Sequence, residues 1–268
     1  MKILHFSDPH AGGGAEDWMA YVDKRAVGVF NYTYRRRFKF DLARLERMVT
    51  AVVANPVDLV ICTGDLTSTG QPGEFEKVRA ILKPLRDSAM PIIYTPGNHD
   101  YYVKRPWCVA AMKEMVHYLS RGEYEFDDLP TVRSYGGCDF IILNTSRPSN
   151  LLCSWGFVSK GDSRSIEELC AGEKSRPRIL VTHYPLSEEG CALFRLRHRL
   201  FGQKKIKKLV RAGAIDLALA GHVHRPLTEV DERGRGESIS GSVTANGVAS
   251  LIDYDPKKDI FSFSTMKV

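Results

Sequence analysis

The chain of 268 residues is 43% apolar and 26% charged, which is sufficient for a large buried core and excludes fibrous, disordered and disulfide-scaffold proteins. Its net charge of +6 is concentrated in two segments, residues 24–40 and 195–211, which contain 14 of the 38 Lys and Arg residues and no acid. The rest of the chain carries 24 basic and 32 acidic residues, a net charge of −8, so the positive balance belongs to these two segments alone.

Short apolar runs that are rich in β-branched residues predict buried strands. In chain order these runs are residues 3–6, 59–63, 92–95, 140–143, 179–182 and 217–220. Apolar residues at helical spacing predict helices over 42–53, 75–82 and 109–119, the first of them capped by Asp41. Beyond residue 227, the β-prone runs 238–244, 249–254 and 260–266 predict antiparallel strands that close a sheet.

The cysteines and the N-terminal residues indicate in which cellular compartment the protein is expected. The six cysteines are widely spaced and form no C-x-x-C pair, so we expect free thiols in a reducing compartment. The first residues are too polar for a signal peptide, and no run approaches the roughly 18 apolar residues of a spanning helix. We therefore expect a cytoplasmic protein, with a peripheral position at the inner membrane face left open. Without repeats or linker-like stretches, residues 1–268 are expected to form a single domain.

Polar residues follow five of the six predicted strands. They are Asp8 and His10, Asp65, the run Asn98, His99 and Asp100, then His183, and finally His222 and His224. In open α/β sheets the carboxyl ends of the strands meet at one edge, so five loops could deliver these groups to one crevice. A single histidine in such a place is usually structural. Five loops that each place His, Asp or Asn directly after a strand predict a shared metal site.

The ligand types suit a particular kind of ion. Neutral imidazoles, carboxylates and an amide oxygen without thiolates favour manganese, iron or zinc in a catalytic rather than a structural site. Seven candidate ligands are too many for one ion. If one carboxylate bridges two ions, the other six ligands form two sets of three: Asp8, His10 and His224, and Asn98, His183 and His222. Two such ions suit the displacement reaction of a phosphate ester.

As a set, the boxes D-x-H, G-D, G-N-H-D, a single H and G-H-x-H, in this order from Asp8 to His224, resemble those of the calcineurin-like metallophosphoesterases. The resemblance implies a four-layer α/β/β/α sandwich, in which two mixed β-sheets are flanked by helices. It also implies that Asp65 bridges the two divalent ions and that metal-bound hydroxide attacks the phosphate. For His99 it implies contact with the scissile phosphate and protonation of the leaving oxygen. Asp100 beside it could fix the orientation of the imidazole.

Several subfamilies are disfavoured. The second box lacks the arginine-containing extension of Ser/Thr protein phosphatases, and the chain leaves little room for the capping domain of repair nucleases. The small bacterial phosphodiesterases, including those similar to cyclic-nucleotide phosphodiesterases, are the resemblance that remains. We therefore expect a small phosphate-ester substrate, a nucleotide or a nucleotide-lipid. The alternatives are a UDP-2,3-diacylglucosamine pyrophosphatase of lipid A synthesis and a non-catalytic binding module on the same fold.

The two basic segments interleave cations with aromatic and apolar residues. This mixture suits the headgroup region of an anionic membrane, and less strongly nucleic acid, but it is also typical of solvated helix faces. The remaining histidines receive structural interpretations. His5 is expected in the core or behind the ligands, and His117 and His198 are expected on helices.

Overall fold

The structure is a computed structural model that describes residues 1–148, 150, 153–187 and 197–268. In these residues the strands, named β1 to β13 in chain order, are Lys2–Phe6, Leu59–Cys62, Ile92–Tyr94, Thr131–Tyr135, Cys138–Ile142, Gly156–Phe157, Arg178–Val181, Leu200–Phe201, Leu217–Ala220, Leu227–Val230, Gly236–Ile239, Val248–Asp255 and Ile260–Lys267. The α-helices, named α1 to α7, are Lys24–Tyr34, Leu42–Ala54, Pro72–Asp87, Pro106–Ser120, Lys160–Cys170, Lys204–Arg211 and Val243–Asn246. Short 3₁₀ helices are Trp18–Tyr21, Arg36–Phe38 and Phe126–Asp128. None of these helices is long and apolar enough to cross a bilayer.

Two large mixed sheets contain most of the strands. The first has the order β13-β12-β1-β2-β3, and β1, β2 and β3 run parallel to one another. The second has the order β10-β11-β9-β7-β5-β4, and its four inner strands are parallel. The long strands β12 and β13 pair antiparallel and close the first sheet beside β1, as the sequence predicts for this end of the chain.

The two sheets pack face to face, and the alternation of side chains along β5 demonstrates this. Phe140 and Ile142 lie in the same buried cluster as Ile3 of the first sheet. Ile141, on the opposite face of β5, packs instead with Ile166 of α5 and with α6. Helices α2, α3 and α4 pack side by side on the outer face of the first sheet. The predicted four-layer α/β/β/α sandwich is therefore confirmed.

The predicted strands and helices agree with the structure to within a few residues at their ends. Helix α2 begins after Asp41, whose carboxylate accepts a hydrogen bond from the backbone N–H of Ala43 at 3.0 Å. The prediction of one strand over 238–244 is wrong. Strand β11 ends at Ile239, and the Ser242 hydroxyl then caps α7 by accepting from the backbone N–H of Ala245 at 3.1 Å. This local cap competes successfully with the β propensity of the run.

Glu74, in the first turn of α3, is a buried carboxyl group that should make folding stability depend on pH. It accepts hydrogen bonds from the backbone N–H and the hydroxyl of Thr69 at 2.7 and 2.9 Å, but burial raises its pKa from 4.5 to about 7. Between these two values the folded chain keeps a proton that the unfolded chain has lost, so stability falls as the pH rises. Relative to the wild type, the free energy of unfolding of Glu74→Gln should rise by on the order of 3 kcal/mol as the pH increases across this interval.

Urea unfolding of the wild type and of Glu74→Gln at pH values below and above the interval measures this gain. Glu76→Gln is the matched control, because Glu76 lies on the same helix with its side chain 68% exposed. Equal pH slopes for Glu74→Gln and the wild type would contradict the prediction.

Candidate metal centre

The predicted metal ligands lie at the carboxyl ends of parallel strands from both large sheets. In chain order, the residues that follow β1, β2, β3, β7 and β9 are Asp8 with His10, Asp65, Asn98, His183, and His222 with His224. Parallel strands end at the same edge of a sheet, which collects the ligands of each sheet. The two edges meet where the carboxylate of Asp8 accepts a hydrogen bond from the backbone N–H of His222 at 3.0 Å.

Four candidate ligands form a first group, with ligand atoms that all lie within 4.8 Å of one another: Asp8, His10, Asp65 and His224. The Nε2 atoms of His10 and His224 are 2.7 Å apart. Oδ1 of Asp8 lies 3.2 Å from Nε2 of His224, and Oδ2 of Asp65 lies 3.6 Å from Nε2 of His10. Nitrogen and oxygen atoms from four side chains thus converge as they would around one divalent cation.

A second group contains Asp65, His183 and His222, again with ligand atoms within 4.8 Å of one another. Oδ1 of Asp65 lies 3.5 Å from Nε2 of His183, and Nδ1 of His222 lies 3.2 Å from the same nitrogen. Oδ1 of Asn98 is also 3.2 Å from Nε2 of His183, which adds an amide oxygen to this group. Asp65 therefore belongs to both groups, with one carboxylate oxygen facing each, and a bridging carboxylate needs this placement.

The unsatisfied donors and acceptors of the site fit divalent cations. Oδ1 of Asp8 is buried and has no hydrogen-bond partner of good geometry within the described part of the chain. Only one hydrogen can lie between the two facing Nε2 atoms of His10 and His224. A cation that accepts all three lone pairs would satisfy these atoms together. The N and O donor set without sulfur suits manganese, iron or zinc at a catalytic site.

The protonation of the histidines also suits metal binding. Burial lowers the pKa of His10 and of His222 well below the usual range, so both imidazoles are neutral at pH 7. Burial acts in the same direction on His183, but the Asp65 carboxylate outweighs it and raises the pKa to about 9. Metal ligation requires neutral imidazoles, so cation binding should release the proton of His183.

Backbone strain is concentrated at the ligands. Five of them have left-handed backbone conformations, with φ between 51° and 71°: Asp8, His10, Asp65, His222 and His224. Such values are uncommon for residues other than glycine and cost free energy, so they persist only where the surrounding structure imposes them. Backbone carbonyls also orient two of the imidazoles. The Thr67 carbonyl oxygen lies 3.2 Å from Nδ1 of His10, and the Thr63 carbonyl oxygen lies 2.6 Å from Nδ1 of His183.

Gly97 is expected to be important for metal binding, because it lies directly against the carboxylate of Asp65 that the two ligand groups share. A Cβ atom at Gly97 would lie 2.1 Å from Oδ1 of Asp65 and 2.3 Å from the Asp65 backbone nitrogen. Either Asp65 or the backbone of residue 97 would therefore have to move. Gly97→Ala should lower the affinity for divalent ions by about tenfold or more. Titration of the metal-free protein with manganese measures the change. Gly172→Ala is the control, since nothing lies within 4 Å of its added methyl group, and equal affinities in the two variants would contradict the prediction.

His99 lies at the border of the centre. Its backbone N–H donates a hydrogen bond to Oδ1 of Asp65 at 2.7 Å, and its ring centroid is 4.8 Å from that of His10. Nδ1 of His99 lies 2.6 Å from the carbonyl oxygen of Ser68, and the ring stacks on Tyr102 at 5.2 Å. The imidazole is thus held with Nδ1 donating to the backbone and with Nε2 facing the Arg36 guanidinium at 3.1 Å. Burial lowers the pKa of this ring well below its usual range.

The hydrogen bonds of Asp100 do not support the predicted role of this residue in orienting the His99 imidazole. Its carboxylate accepts hydrogen bonds from the backbone N–H and hydroxyl of Thr67, at 2.9 and 3.0 Å, rather than from the His99 ring. It also accepts from the Tyr94 hydroxyl and the Gly97 backbone N–H, both at 2.9 Å. Asp100 therefore ties the loop after β3 to the loop after β2. The Ser68 carbonyl, rather than Asp100, orients the imidazole.

Three residues of the site do not directly follow a predicted strand, so the sequence pattern that located the candidate ligands did not find them. The guanidinium of Arg36 has Nη2 3.1 Å from Nε2 of His99, and the Phe40 ring packs 4.7 Å from the His10 ring. His198, which sequence analysis places on a helix, lies instead in a bend before β8, with Nδ1 3.3 Å from Nε2 of His222. Arg36 belongs to the first basic segment, so charge was its only signal.

The two basic segments have different surroundings. The first forms α1 and the adjoining 3₁₀ helix beside the metal centre, where Arg36 contacts His99 and Lys24 lies 4.0 Å above the Tyr102 ring. Several apolar residues of this segment and just before it are exposed. In the second segment, Leu200 and Ile206 are buried. Residues 195 and 196 of that segment lie outside the described residues.

Comparison with known proteins matches residues 1–226 to the family described as calcineurin-like phosphoesterase. The chain is 24% identical over 223 residues to a cAMP/cGMP dual specificity phosphodiesterase of Mycobacterium tuberculosis, covering 83% of this chain and 61% of that protein. It is 25% identical over 171 residues to a 3′,5′-cyclic-nucleotide phosphodiesterase of Nostoc, covering 63% of this chain and 56% of that protein. The chain thus spans about three fifths of the length of these relatives.

Solved structures agree on the fold. A dimetal phosphatase from Danio rerio superposes with a TM-score of 0.64 at 11% identity, covering 100% of this chain and 98% of the other. A purple acid phosphatase from yellow lupin superposes with a TM-score of 0.61 at 13% identity, covering 100% of this chain and 53% of the other. At such low identity these superpositions support the sandwich architecture alone.

Proposed function

Since the chain belongs to the calcineurin-like phosphoesterase family, we propose that it is a metal-dependent hydrolase that cleaves a phosphodiester or pyrophosphate bond in a small nucleotide-like substrate. The observation that carries this proposal is the pair of ligand groups that share Asp65, with His99 directly beside them. A binding module without catalysis has no need for a buried, strained ligand set or for an imidazole at its border.

The proposed cofactors are two divalent ions, manganese, iron or zinc. One would be held by Asp8, His10, Asp65 and His224, and the other by Asp65, Asn98, His183 and His222. When bound, such ions lower the pKa of coordinated water and stabilise negative charge on a phosphate. The left-handed backbone at five ligands and the carbonyls behind the imidazoles hold these side chains in position before any ion arrives.

Two further side chains would act on the phosphate itself. His99 holds Nδ1 on the Ser68 carbonyl, and its Nε2 faces Arg36; a bound anionic phosphate would favour the protonated ring and let Nε2 deliver a proton to the leaving oxygen. Arg36 lies with Nη2 3.1 Å from that nitrogen and could donate hydrogen bonds to phosphate oxygens. Both groups stand close enough to the ligand clusters to reach a phosphate bound at the centre.

Cyclic nucleotides are the first substrate class to test, because the relatives from M. tuberculosis and Nostoc are phosphodiesterases of cyclic nucleotides. The lipid A pyrophosphatase alternative rests on the sequence resemblance alone. It is therefore kept as one arm of the test and not as a second proposal. Cytoplasmic localisation also stays a prediction.

The decisive experiment is an activity panel on metal-free protein reloaded separately with manganese, iron or zinc. The substrates are a cyclic nucleotide, an aryl phosphodiester, a nucleoside diphosphate sugar lipid and a simple phosphomonoester. We expect activity only in reloaded samples, and faster hydrolysis of a diester or pyrophosphate than of the monoester. Metal-loaded protein without turnover on every substrate would favour the binding-module alternative.

We also propose that the face of the first basic segment contacts anionic membranes. Phe30, Tyr34 and Phe38 in this segment are 59, 65 and 74% exposed, and Trp18 and Tyr21 just before it are 73 and 70% exposed. Exposed aromatic side chains among cations are typical of proteins that bind the headgroup region. In the second segment Leu200 and Ile206 are buried and Phe201 is 37% exposed, less than any of these five residues, so the proposal is restricted to the first segment.

Co-sedimentation with vesicles tests the membrane proposal. The wild type should sediment with vesicles that contain phosphatidylserine at low salt, and less at high salt or with phosphatidylcholine alone. The triple variant Phe30→Ser, Tyr34→Ser, Phe38→Ser should lose most of this binding. Leu169→Ser, which changes a 40% exposed residue on α5, is the control. Wild-type protein that stays in the supernatant at low salt would end the proposal.

A further inference from the structure

A cavity of about 170 Å³ adjoins the metal centre behind His99. Two of its lining histidines reach the ligands from different sides. The backbone N–H of His99 donates to Asp65, and Nδ1 of His198 lies 3.3 Å from Nε2 of His222. Water in the liquid occupies about 30 Å³ per molecule, so this cavity has room for a phosphate group and some water. A group bound here would be next to a phosphate held at the centre.

The lining of the cavity is strongly cationic. Lys24, Arg36 and Arg197 all line it, and none of the described lining residues is a carboxylate. Asn31, Tyr102 and Ser154 add neutral polar groups that can donate hydrogen bonds. The cations come from both basic segments, which are more than a hundred residues apart in the chain. A cavity with three cations and no acid is built to hold an anion.

The contacts of Arg36 also indicate that the cavity binds an anion. Its guanidinium lies against both ring nitrogens of His99, at 3.1 and 3.3 Å, in a partly buried position. Among the described residues it forms no ion pair. Removing a guanidinium partly from water without a carboxylate partner costs free energy, and a bound anion would offset that cost.

A stack of side chains places a second cation at the same cavity. The Lys24 ammonium lies 4.0 Å above the ring of Tyr102, and Tyr102 in turn stacks on His99 with an interplanar angle of 16°. The aromatic contact holds the ammonium close to the cavity wall. The backbone carbonyl of Arg197 accepts a hydrogen bond from Ser154 at 2.8 Å, which fixes the segment that supplies the third cation.

Even where Arg36 contacts the scissile phosphate, that phosphate does not account for Lys24 and Arg197 in the same cavity. Two divalent ions would outweigh the two aspartates among their ligands and leave a net charge of about +2, enough for a phosphodiester and an attacking hydroxide. We propose that the cavity behind His99 binds a second phosphate of the substrate, one that is not cleaved at the centre, so that the enzyme prefers substrates with two phosphates over singly charged cyclic nucleotides. This inference rests on the proposed hydrolase function.

Two variants test the cavity: Lys24→Gln and Arg197→Gln. For a nucleoside diphosphate ester, each should lower kcat/KM by about tenfold, while kcat/KM for a cyclic nucleotide changes by less than about twofold. Arg47→Gln is the matched control, because Arg47 lies on α2 with its side chain 55% exposed, and it should leave both values unchanged. Equal losses on both substrates, or no loss on either, would overturn the inference.

Calorimetry keeps the inference separate from the proposed function. Inorganic pyrophosphate should bind metal-reconstituted protein at least about tenfold more tightly than inorganic phosphate. Both cavity variants should weaken pyrophosphate binding about tenfold and leave phosphate binding nearly unchanged. If the protein hydrolyses nothing but this binding pattern holds, the hydrolase proposal fails and the anion cavity stands. If cyclic nucleotides are hydrolysed but the variants do not distinguish pyrophosphate from phosphate, the cavity proposal fails alone.

Discussion

Asp65→Asn is expected to lower turnover by at least about a thousandfold and to reduce the divalent metal bound in both ligand groups. The carboxylate has Oδ2 3.6 Å from Nε2 of His10 and Oδ1 3.5 Å from Nε2 of His183, so it is the one side chain common to both groups. Asparagine is isosteric but neutral, and its nitrogen cannot coordinate a cation in place of an oxygen. The shared negative charge would therefore be lost from both groups, and one of the two groups would also lose its ligand atom.

Metal content by mass spectrometry and kcat on an aryl phosphodiester together measure this effect. Asp253→Asn, at an exposed position of β12, makes the same chemical change far from the centre and should keep both metal and activity. The Oδ1 atom of Asp65 also accepts the backbone N–H of His99, so a stability measurement accompanies the kinetics. A folded Asp65→Asn variant with full metal content and full activity would refute the shared-carboxylate arrangement.

The positions of the ligands could be predicted from the sequence because a general rule of topology governs them. Asp8, Asp65 and His183 each follow a short buried run, and parallel strands bring such positions to one edge whatever the intervening chain does. The strands were recognisable because burial on both faces leaves nearly continuous apolar runs, as in β2 with all four residues buried. Periodicity and strand ends were thus sufficient for the strands and for the positions of the candidate ligands, whereas the four-layer architecture was implied by the family resemblance.

The surroundings of the ligands could not be predicted in this way. Arg36 and His198 reach the centre from segments that are not strand ends, and their positions depend on how α1 and the chain before β8 fold over the sheet edge. Asp100 is adjacent to His99 in sequence, yet neighbouring residues in a turn direct their side chains differently, and its carboxylate bonds to Thr67 instead. Charge counts located the basic segments but gave no information on their tertiary contacts.

His99→Gln is expected to separate substrates by their leaving groups. An imidazole that protonates the leaving oxygen accelerates the departure of an alkoxide by about a hundredfold to ten-thousandfold, whereas a nitrophenolate leaves without a proton. The variant should therefore lose at least about a hundredfold in kcat on a cyclic nucleotide and less than about tenfold on a nitrophenyl phosphodiester. The Ser68 carbonyl holds Nδ1, so Nε2, beside the Arg36 guanidinium, is the ring atom that would carry this proton.

The ratio of the two losses is the informative quantity, because His99 also contacts the shared carboxylate through its backbone. That backbone hydrogen bond to Asp65 survives the substitution, so the bound metal should stay unchanged in His99→Gln. His117→Gln is the control, since His117 is 61% exposed on α4 beside Glu125 and should behave as the wild type. Equal losses on both substrates would mean that His99 binds the phosphate without protonating the leaving oxygen. In that case Arg36, within 3.1 Å of the same nitrogen, is the next side chain to test as a donor to the leaving oxygen.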